Sequence, residues 1–520
     1  MNADVGLGSW PWRRARITPE RIALTRDDRT LTYADLAART ERLAAALIGA
    51  GVRAGDRVAY LGPNDIETFE SLFATGLLGG VFVPLNTRLS AREIAYMLDD
   101  CAARVLVVAP THHELVAALP SVPGDLLVVA LEAPTCPIAC TGYEQFLGAG
   151  DDSAEVFPPV GLDDPCLILY TSGTTGKPKG AILTHGNVTF NTINQLAHVD
   201  VLSTDKSLCL APMFHVSGLG QITLPTLFKG GSVQPVPRFD AGEVLAAIDR
   251  ERITGFSAVP TILQMLCEHP DFAGTDLSSL RYIVYGGSPV LERVATAWLD
   301  RGVQLLQGYG MTEAAAGVYM AIPDGAAEHP VSVGFPHFYT DVALETGDHT
   351  TPITPGTTGE LLVRGANLFA GYWNRDEDTA ASFTADGWFR TGDVVATGED
   401  GWARVVDRVK DIIISGGENI YPAEVEAVLT RHPGVASAAV VAIPDNQWGE
   451  VGLAYVVTTG DTNLDAETIT SYLAEHLARY KIPKHFRFVT DLPRNATGKI
   501  QRAQLRELAA TTPDTNPVTA

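Results

Sequence analysis

Residues 56–109 alternate short apolar runs with helical patterns, and few folds accept that rhythm. "DRVAYLG" (56–62) reads as a buried strand and "DIETFESLFATGLLG" (65–79) as a helix. The strand "GVFVPLN" (80–86), the helix "SAREIAYMLDDC" (90–101) and the strand "ARVLVVA" (103–109) follow. Ser90 with Glu93 forms a capping box, which fixes where the second helix starts. Buried strands joined through helices predict parallel sheets covered by helices, an α/β fold.

The rhythm continues and then changes. "LRYIVYGGSPV" (280–290) and "GVQLLQGYGMTE" (302–313) are strands that end in glycine. Open α/β sheets place their ligands at such strand ends. From "GELLVRG" (359–365) to "GWARVVDR" (401–408) the pattern turns to short strands and turns. "AEVEAVLTRHPGVASAAVVAIPD" (423–445) then reads as helix, turn and strand, and "AETITSYLAEHL" (466–477) as a helix. A chain of 520 residues exceeds one compact core, so a large domain over 1–409 and a small α+β domain over 411–505 are expected. Their boundary falls near Lys410, and 506–520, ending "TTPDTNPVTA", is expected to be a flexible tail.

Composition excludes several roles. Acidic residues outnumber basic ones 61 to 38, for a net charge of -23, and such a field repels nucleic acid. The six cysteines fit neither a disulfide framework nor a zinc set, which predicts a reducing compartment. The first residues lack the apolar core of a signal peptide. The apolar stretch 72–86 is broken by glycines and a proline and is too short to span a bilayer, so no membrane anchor and a cytoplasmic location are expected.

The segment "TSGTTGKPKG" (171–180) follows an apolar strand and is rich in glycine, hydroxyls and lysine. It is not the common phosphate loop, because only Thr174 and Thr175 separate Gly173 from Gly176-Lys177. Its exposed N–H groups, the hydroxyls of Thr171, Ser172, Thr174 and Thr175, and Lys177 and Lys179 suit phosphate, and a plain hairpin turn is the alternative. "APMFHVSGLG" (211–220) puts His215 at the end of an apolar strand, as a wall residue or a catalyst. "GYGMTE" (308–313) offers Tyr309 as a stacking ring and Thr312 and Glu313 as hard oxygen ligands for Mg²⁺, although an ordinary strand-to-helix cap has the same residues. Asp393, Asp407 and Arg408 suit a ribose diol or a surface ion pair. Lys499 stands in a glycine-containing loop near the end of the chain, where a lone lysine is usually solvated.

Together, "YTSGTTGKPKG" (170–180), "YGMTE" (309–313), "TGD" (391–393), "DRVKDIIISGGENIYP" (407–422) and "PRNATGK" (493–499) form an ordered set. From "LTYADL" (31–36) to "TGKIQR" (497–502) the chain resembles the adenylate-forming superfamily of acyl-CoA synthetases, luciferases and peptide-synthetase adenylation domains. The resemblance implies a large N-terminal domain of stacked βαβ-type sheets with a distorted barrel, and a small mobile α+β C-terminal domain. It also implies a two-step enzyme. A carboxylate attacks the α-phosphate of ATP to give an acyl-adenylate and pyrophosphate, and a thiol, usually that of CoA, then displaces AMP.

Carried onto this chain, the resemblance gives residues 171–177 the β- and γ-phosphates: Thr171, Ser172, Gly173, Thr174, Thr175, Gly176 and Lys177. Thr312 and Glu313 would hold the ATP-bound Mg²⁺, and Asp393 and Arg408 the ribose. Gly286, Gly287, Ser288 and Tyr309 would enclose adenine. Lys499 would bridge carboxylate and α-phosphate, an electrostatic task suited to a mobile point cation. The small domain would swing about Lys410 between the steps, withdrawing Lys499 and bringing Gly417 to the pantetheine channel, with Trp448 against it.

Amino-acid-activating relatives carry an Asp where His215 stands, which disfavours an amino-acid substrate. A histidine there resembles aryl- and fatty-acid CoA ligases. No clear insertion separates Gly359 from Asp407, which favours CoA over a carrier-protein thiol. The acyl pocket is expected around His215, Tyr285, Gly286, Gly310 and Ala315, where the small-residue run 314–317 leaves room for a fatty, aryl or polycyclic acid. A catalytically silent binding protein is the non-enzyme alternative, opposed by the retained Lys499 and Glu313. Dimers are common in the family, yet no stretch betrays an interface.

Overall fold

A computed structural model describes residues 4–120, 124–150, 157–171, 178–287, 290–346, 349–415, 418–445, 448–460, 464–495 and 498–511. The opening alternation folds as expected, with boundaries shifted by a residue or two. Its strands are Arg57–Leu61, Val81–Pro84 and Ala103–Val108, and its helices Ile66–Leu77 and Ala91–Asp100. The three strands pair in parallel, Arg57–Leu61 in the centre. The Ser90 capping box forms, and Asp65 with Thr68 makes a second one at the preceding helix.

The chain divides into two compact units, Met1–Asp341 with Val363–Phe389, and Val342–Leu362 with Arg390–Ala520. Among the described residues, the first unit holds two large sheets. The eight-stranded sheet runs from Gly371–Tyr372 through Lys179–Thr184 and Pro165–Thr171 to the three parallel strands above, and ends at Thr141–Gly142. The nine-stranded sheet carries the parallel run Lys206–Cys209, Gly255–Ala258, Tyr282–Tyr285 and Gln304–Tyr309. Every residue of helix Ile66–Leu77 is buried, and Phe69, Leu72 and Phe73 share one core with Leu24 and Val233 of the nine-stranded sheet and Val58, Phe82 and Leu167 of the eight-stranded one. Packed between the two sheets, the helix is buried on all sides. Its two carboxylates that face the interior are met by arginines, Glu67 by Arg29 and Glu70 by Arg39.

In the second unit, a five-stranded sheet runs in the order His349–Pro352, Thr340–Thr346, Thr358–Gly365, Phe389–Thr397 and Ala403–Arg408. The smaller α+β part is built on strands Val435–Asp445 and Gly449–Thr458, with helices Pro422–Leu429 and Ala466–His476 packed through Val425, Leu429, Ile469 and Leu473. Helix Arg502–Thr511 continues past residue 506, where a tail was expected to begin, because Leu505 buries against the same strands. Residues 512–520 lie outside the described residues. No described helix is long and apolar enough to cross a membrane, and the six cysteines are all free.

Candidate active site

Strands Pro165–Thr171 and Lys179–Thr184 are an antiparallel hairpin whose last pair is Thr171 with Lys179. The apolar residues of both strands, among them Leu167, Leu169, Ala181 and Leu183, anchor it in the core. Thr171 Oγ1 donates to Lys179 O at 3.4 Å. Lys179 pairs with Asp378 at 3.0 Å and lies 5.5 Å over the Tyr372 ring. The expected phosphate-binding residues Ser172, Gly173, Thr174, Thr175, Gly176 and Lys177 lie outside the described residues, as do Ser288 and Gly417.

The segment 308–313, read as a stacking ring with Mg²⁺ ligands and alternatively as a strand-to-helix cap, leads into a loop between two strands. The chain leaves strand Gln304–Tyr309, makes one 3-10 turn over Thr312–Ala314, and returns to pair Tyr309 with Tyr319. Closing so tight a loop forces positive φ on two residues that are not glycine, Ala315 at 51° and Ala316 at 100°. Such backbone costs about 1–3 kcal/mol per residue and is tolerated where surrounding structure dictates it. Gly310 has no room for a side chain, since a Cβ there would lie 2.0 Å from Ala316 O. The turn leaves Thr312 and Glu313 half-exposed. Glu313 is held from behind, its Oε1 accepting the Tyr372 hydroxyl at 2.7 Å and its carbonyl the Phe369 N–H at 2.8 Å. Burial, and then the Glu313 charge, push the Tyr372 phenol far above its usual range, so it remains a donor. A carboxylate with one oxygen oriented this way keeps lone pairs for a cation.

His215 does not end a strand, because strand Lys206–Cys209 stops short of it. It caps helix Val216–Gly220 instead. The connecting loop is pinned by Asn64, which donates to Cys209 O at 3.0 Å and Ala211 O at 2.9 Å and accepts the Met213 N–H. Burial, and then Arg88, push the His215 imidazole down to about 4, so it is neutral at physiological pH. Its Nε2 is buried without a hydrogen-bond partner among the described residues. Tyr285 points into the core, where its hydroxyl donates to Pro330 O at 2.6 Å. Gly286 packs its Cα toward Gly308 O and the Gln221 amide, and Gly287 has φ of +88°.

In the second unit, Asp393 and Arg408 are register partners on neighbouring strands, and Arg408 Nε lies 3.3 Å from Asp393 Oδ1. Asp393 is buried. Asp407 faces elsewhere, since its carboxylate accepts the N–H of Arg408 and of Ala423 and so caps helix Pro422–Leu429. The Lys499 backbone is clamped by Asn495, whose N–H donates to Lys499 O at 2.8 Å and whose Oδ1 accepts from Lys499 N at 2.9 Å. The ammonium is not a solvated one. Burial, and then Arg408, lower it to about 8, with Asp393 opposing, Arg502 adding to the depression and Asp411 opposing it. The structure thus brings Lys499, Asp393 and Arg408 together. A cation depressed by burial and poised near neutrality is characteristic of a working site.

Residues 11–373 match the family described as AMP-binding enzyme, and residues 424–499 match the AMP-binding enzyme C-terminal domain. The chain belongs to the AMP-binding enzyme family. It is 48% identical over 501 residues to a feruloyl-CoA synthase of an Amycolatopsis species, covering 96% of this chain and 98% of the relative. It is 41% identical over 506 residues to an indoleacetate–CoA ligase of Aromatoleum aromaticum, covering 97% and 98%. Among solved structures it resembles an anthranilate CoA ligase in complex with anthranoyl-AMP, with a TM-score of 0.89 and 28% identity over 98% of this chain and 99% of that one.

This AMP-binding enzyme also contains supporting residues that motif reading passed over. Tyr372 orients Glu313, Asn64 holds the loop to His215, and Asn367 donates to Ala314 O at 3.2 Å and Gly317 O at 2.7 Å. Each is a polar residue far along the chain from its partner, and sequence spacing carries no sign of that. The expected hinge residue Lys410 is exposed in the short turn Val409–Asp411. Trp448 is also exposed, with Lys484 Nζ 5.0 Å over its ring.

Proposed function

We propose that this enzyme activates an aryl or arylalkenoic carboxylic acid with ATP and passes the acyl group to CoA. The reaction class follows from the family: the acid's carboxylate attacks the α-phosphorus of ATP, pyrophosphate leaves, and the thiol then attacks the acyl-adenylate carbonyl and expels AMP. Supporting the choice of acid is the expected acyl lining of a neutral His215 with the small residues Gly310 and Ala314 to Gly317. It suits a flat ring, and the feruloyl, indoleacetate and anthranilate names of the similar proteins share an aromatic acid.

Lys499 then neutralises charge that develops on the transferring group, and the Asp393–Arg408 pair receives the ribose. Residues 171–177 take the β- and γ-phosphates, with Gly287 and Ser288 beside Tyr309 at adenine. Glu313, oriented by Tyr372, and Thr312 would hold Mg²⁺, which supplies charge neutralisation at the phosphates when bound. Few protein ligands are needed, because Mg²⁺ in such sites is bound mainly by phosphate and water. For the second step, rotation about Lys410 would withdraw Lys499 and bring Gly417 and Trp448 to the pantetheine arm. A domain boundary at Lys410, with 1–409 and 411–505 as the moving bodies, belongs to this proposal. Free thiols throughout fit a cytoplasmic setting.

The test is pyrophosphate release over cinnamic, benzoic and indoleacetic acids, C6 to C18 fatty acids and polycyclic acids, with and without CoA. Aryl acids should release pyrophosphate and, with CoA, yield the thioester. Release with fatty acids alone would overturn the acid. Release without a CoA thioester would overturn the acceptor in favour of a carrier protein.

A further inference from the structure

The connection between strands Leu127–Ala130 and Thr141–Gly142 carries two cysteines that the proposed mechanism does not use, Cys136 and Cys140. Thr141–Gly142 is the edge strand at the opposite end of the eight-stranded sheet from Gly371–Tyr372 and the hairpin beside it. Ladder pairing fixes the connection at both ends, because Val129 and Ala130 are the register partners of Thr141 and Gly142. The chain must therefore double back within residues 131–140, and it bends over 137–139.

Both thiols meet inside that bend. The Cys136 N–H donates to Ala133 O at 3.0 Å, and the Cys140 thiol lies 4.0 Å from the same oxygen. Burial holds the Cys140 thiol above its usual range, followed by a hydrogen bond with the Cys136 thiol and by its charge, so the two sulfurs are in contact. Ionising one opposes ionising the other, which leaves one attacking thiolate and one protonated partner. Both side chains are half-buried and rest, with Ala133 and Ile138, on the core that holds Leu106, Val108 and Ala130. A cleft of about 440 Å³ lined by Leu131, Ala133, Thr135 and Gly142 flanks the bend, which leaves the backbone room to adjust. The other cysteines are placed differently. Cys101, Cys166 and Cys209 are buried, and burial pushes their thiols far up. The Cys267 thiol donates to Gln264 O at 3.4 Å, within its own helix.

We propose that Cys136 and Cys140 form a reversible thiol–disulfide modification site, closed by a low-molecular-weight disulfide. One cysteine thiolate attacks a sulfur of that disulfide, whose second sulfur leaves as a thiolate and takes up the proton the cysteine gave up. The other cysteine then attacks the protein-bound sulfur in the same way and expels the second small thiol. The two cysteines lose two electrons in all, and the small disulfide gains them. In a reducing compartment such a disulfide is transient and responds to the redox state of the thiol pool. The pair is independent of which acid and which acceptor thiol the enzyme uses.

The test equilibrates the full-length enzyme in mixtures of reduced and oxidised glutathione, blocks remaining thiols with N-ethylmaleimide in denaturant, and cuts after Glu132 and Glu144. Mass spectrometry of peptide 133–144 should find an internal disulfide that dithiothreitol opens, and Cys136→Ser and Cys140→Ser should each abolish it. The contribution of the fold is read from the equilibrium constant with glutathione, which should be about tenfold or more larger for the folded chain than for the same chain in urea. A peptide that stays fully alkylated in oxidised glutathione, or that holds glutathione on its thiols without the internal bond, would overturn the proposal. Equal constants for the folded and unfolded chains would overturn it too, because any flexible segment of that length closes to the same extent.

Discussion

The role proposed for Lys499 predicts a pH limit on the first half-reaction. An ordinary lysine, near 10.5, stays charged to pH 9 and beyond, but burial and the neighbouring Arg408 bring this one to about 8. The group is depressed, so its cation is intact below that value and lost as pH rises through it. About nine-tenths of the enzyme carries the ammonium at pH 7 and about one-tenth at pH 9, which predicts roughly a tenfold fall in adenylation. The fall should appear in kcat/KM for ATP, which reports the free enzyme, since bound phosphates would raise the lysine again. Pyrophosphate exchange from pH 6 to 10 measures it, with acyl transfer from preformed acyl-adenylate as the control that should not fall. The neighbours give the sharper check. Arg408→Leu removes a depressing charge and should move the midpoint up, whereas Asp393→Asn removes a supporting one and should move it down. Both will weaken ATP use, so only the midpoint is read. Midpoints that stay in place, or move in the same direction, would refute the assignment of Lys499.

Other outcomes follow from the same geometry. Tyr372→Phe removes the 2.7 Å bond to Glu313 and should raise the Mg²⁺ concentration for half-maximal activity several-fold, with little change in the folded state; an unaltered Mg²⁺ titration would count against Glu313 as a ligand. His215 already stands near 4, so His215→Gln should leave the shape of the pH profile between 6 and 8 unchanged, and a lost inflection there would contradict its neutrality. Glu426→Ala strands Arg502, which the carboxylate holds at 2.6 Å, and should destabilise the second unit by about 3 kcal/mol in denaturant unfolding. Lys410→Pro should slow the alternation between half-reactions, and undiminished rates of both would rule out that hinge.

Much of this enzyme was legible from local pattern. A strand buried on both faces must be apolar throughout and a helix that covers it must be periodic, so Arg57–Leu61, Ile66–Leu77 and Ala91–Asp100 announce themselves in the residues. Ser90 and Glu93 mark a helix start because the capping partners lie within one turn. The roles proposed for Glu313, Asp393, Arg408 and Lys499 came from the resemblance carried by an ordered set of motifs, since no single stretch distinguishes a ligand from a cap or a solvated cation.

Tertiary structure alone decided what each of these groups experiences. That the "GYGMTE" segment returns as a loop rather than entering a helix depends on strand Tyr319–Met320 pairing back onto Gln304–Tyr309. Tyr372 reaches Glu313 across 59 residues. Lys499 becomes a depressed cation only because folding buries it and sets Arg408, from another part of the chain, near it, with Asp393 opposing the shift. Local propensity and periodicity act over a few residues, whereas burial, hydrogen-bond partners and electrostatic neighbours are set by chain segments that meet only after folding.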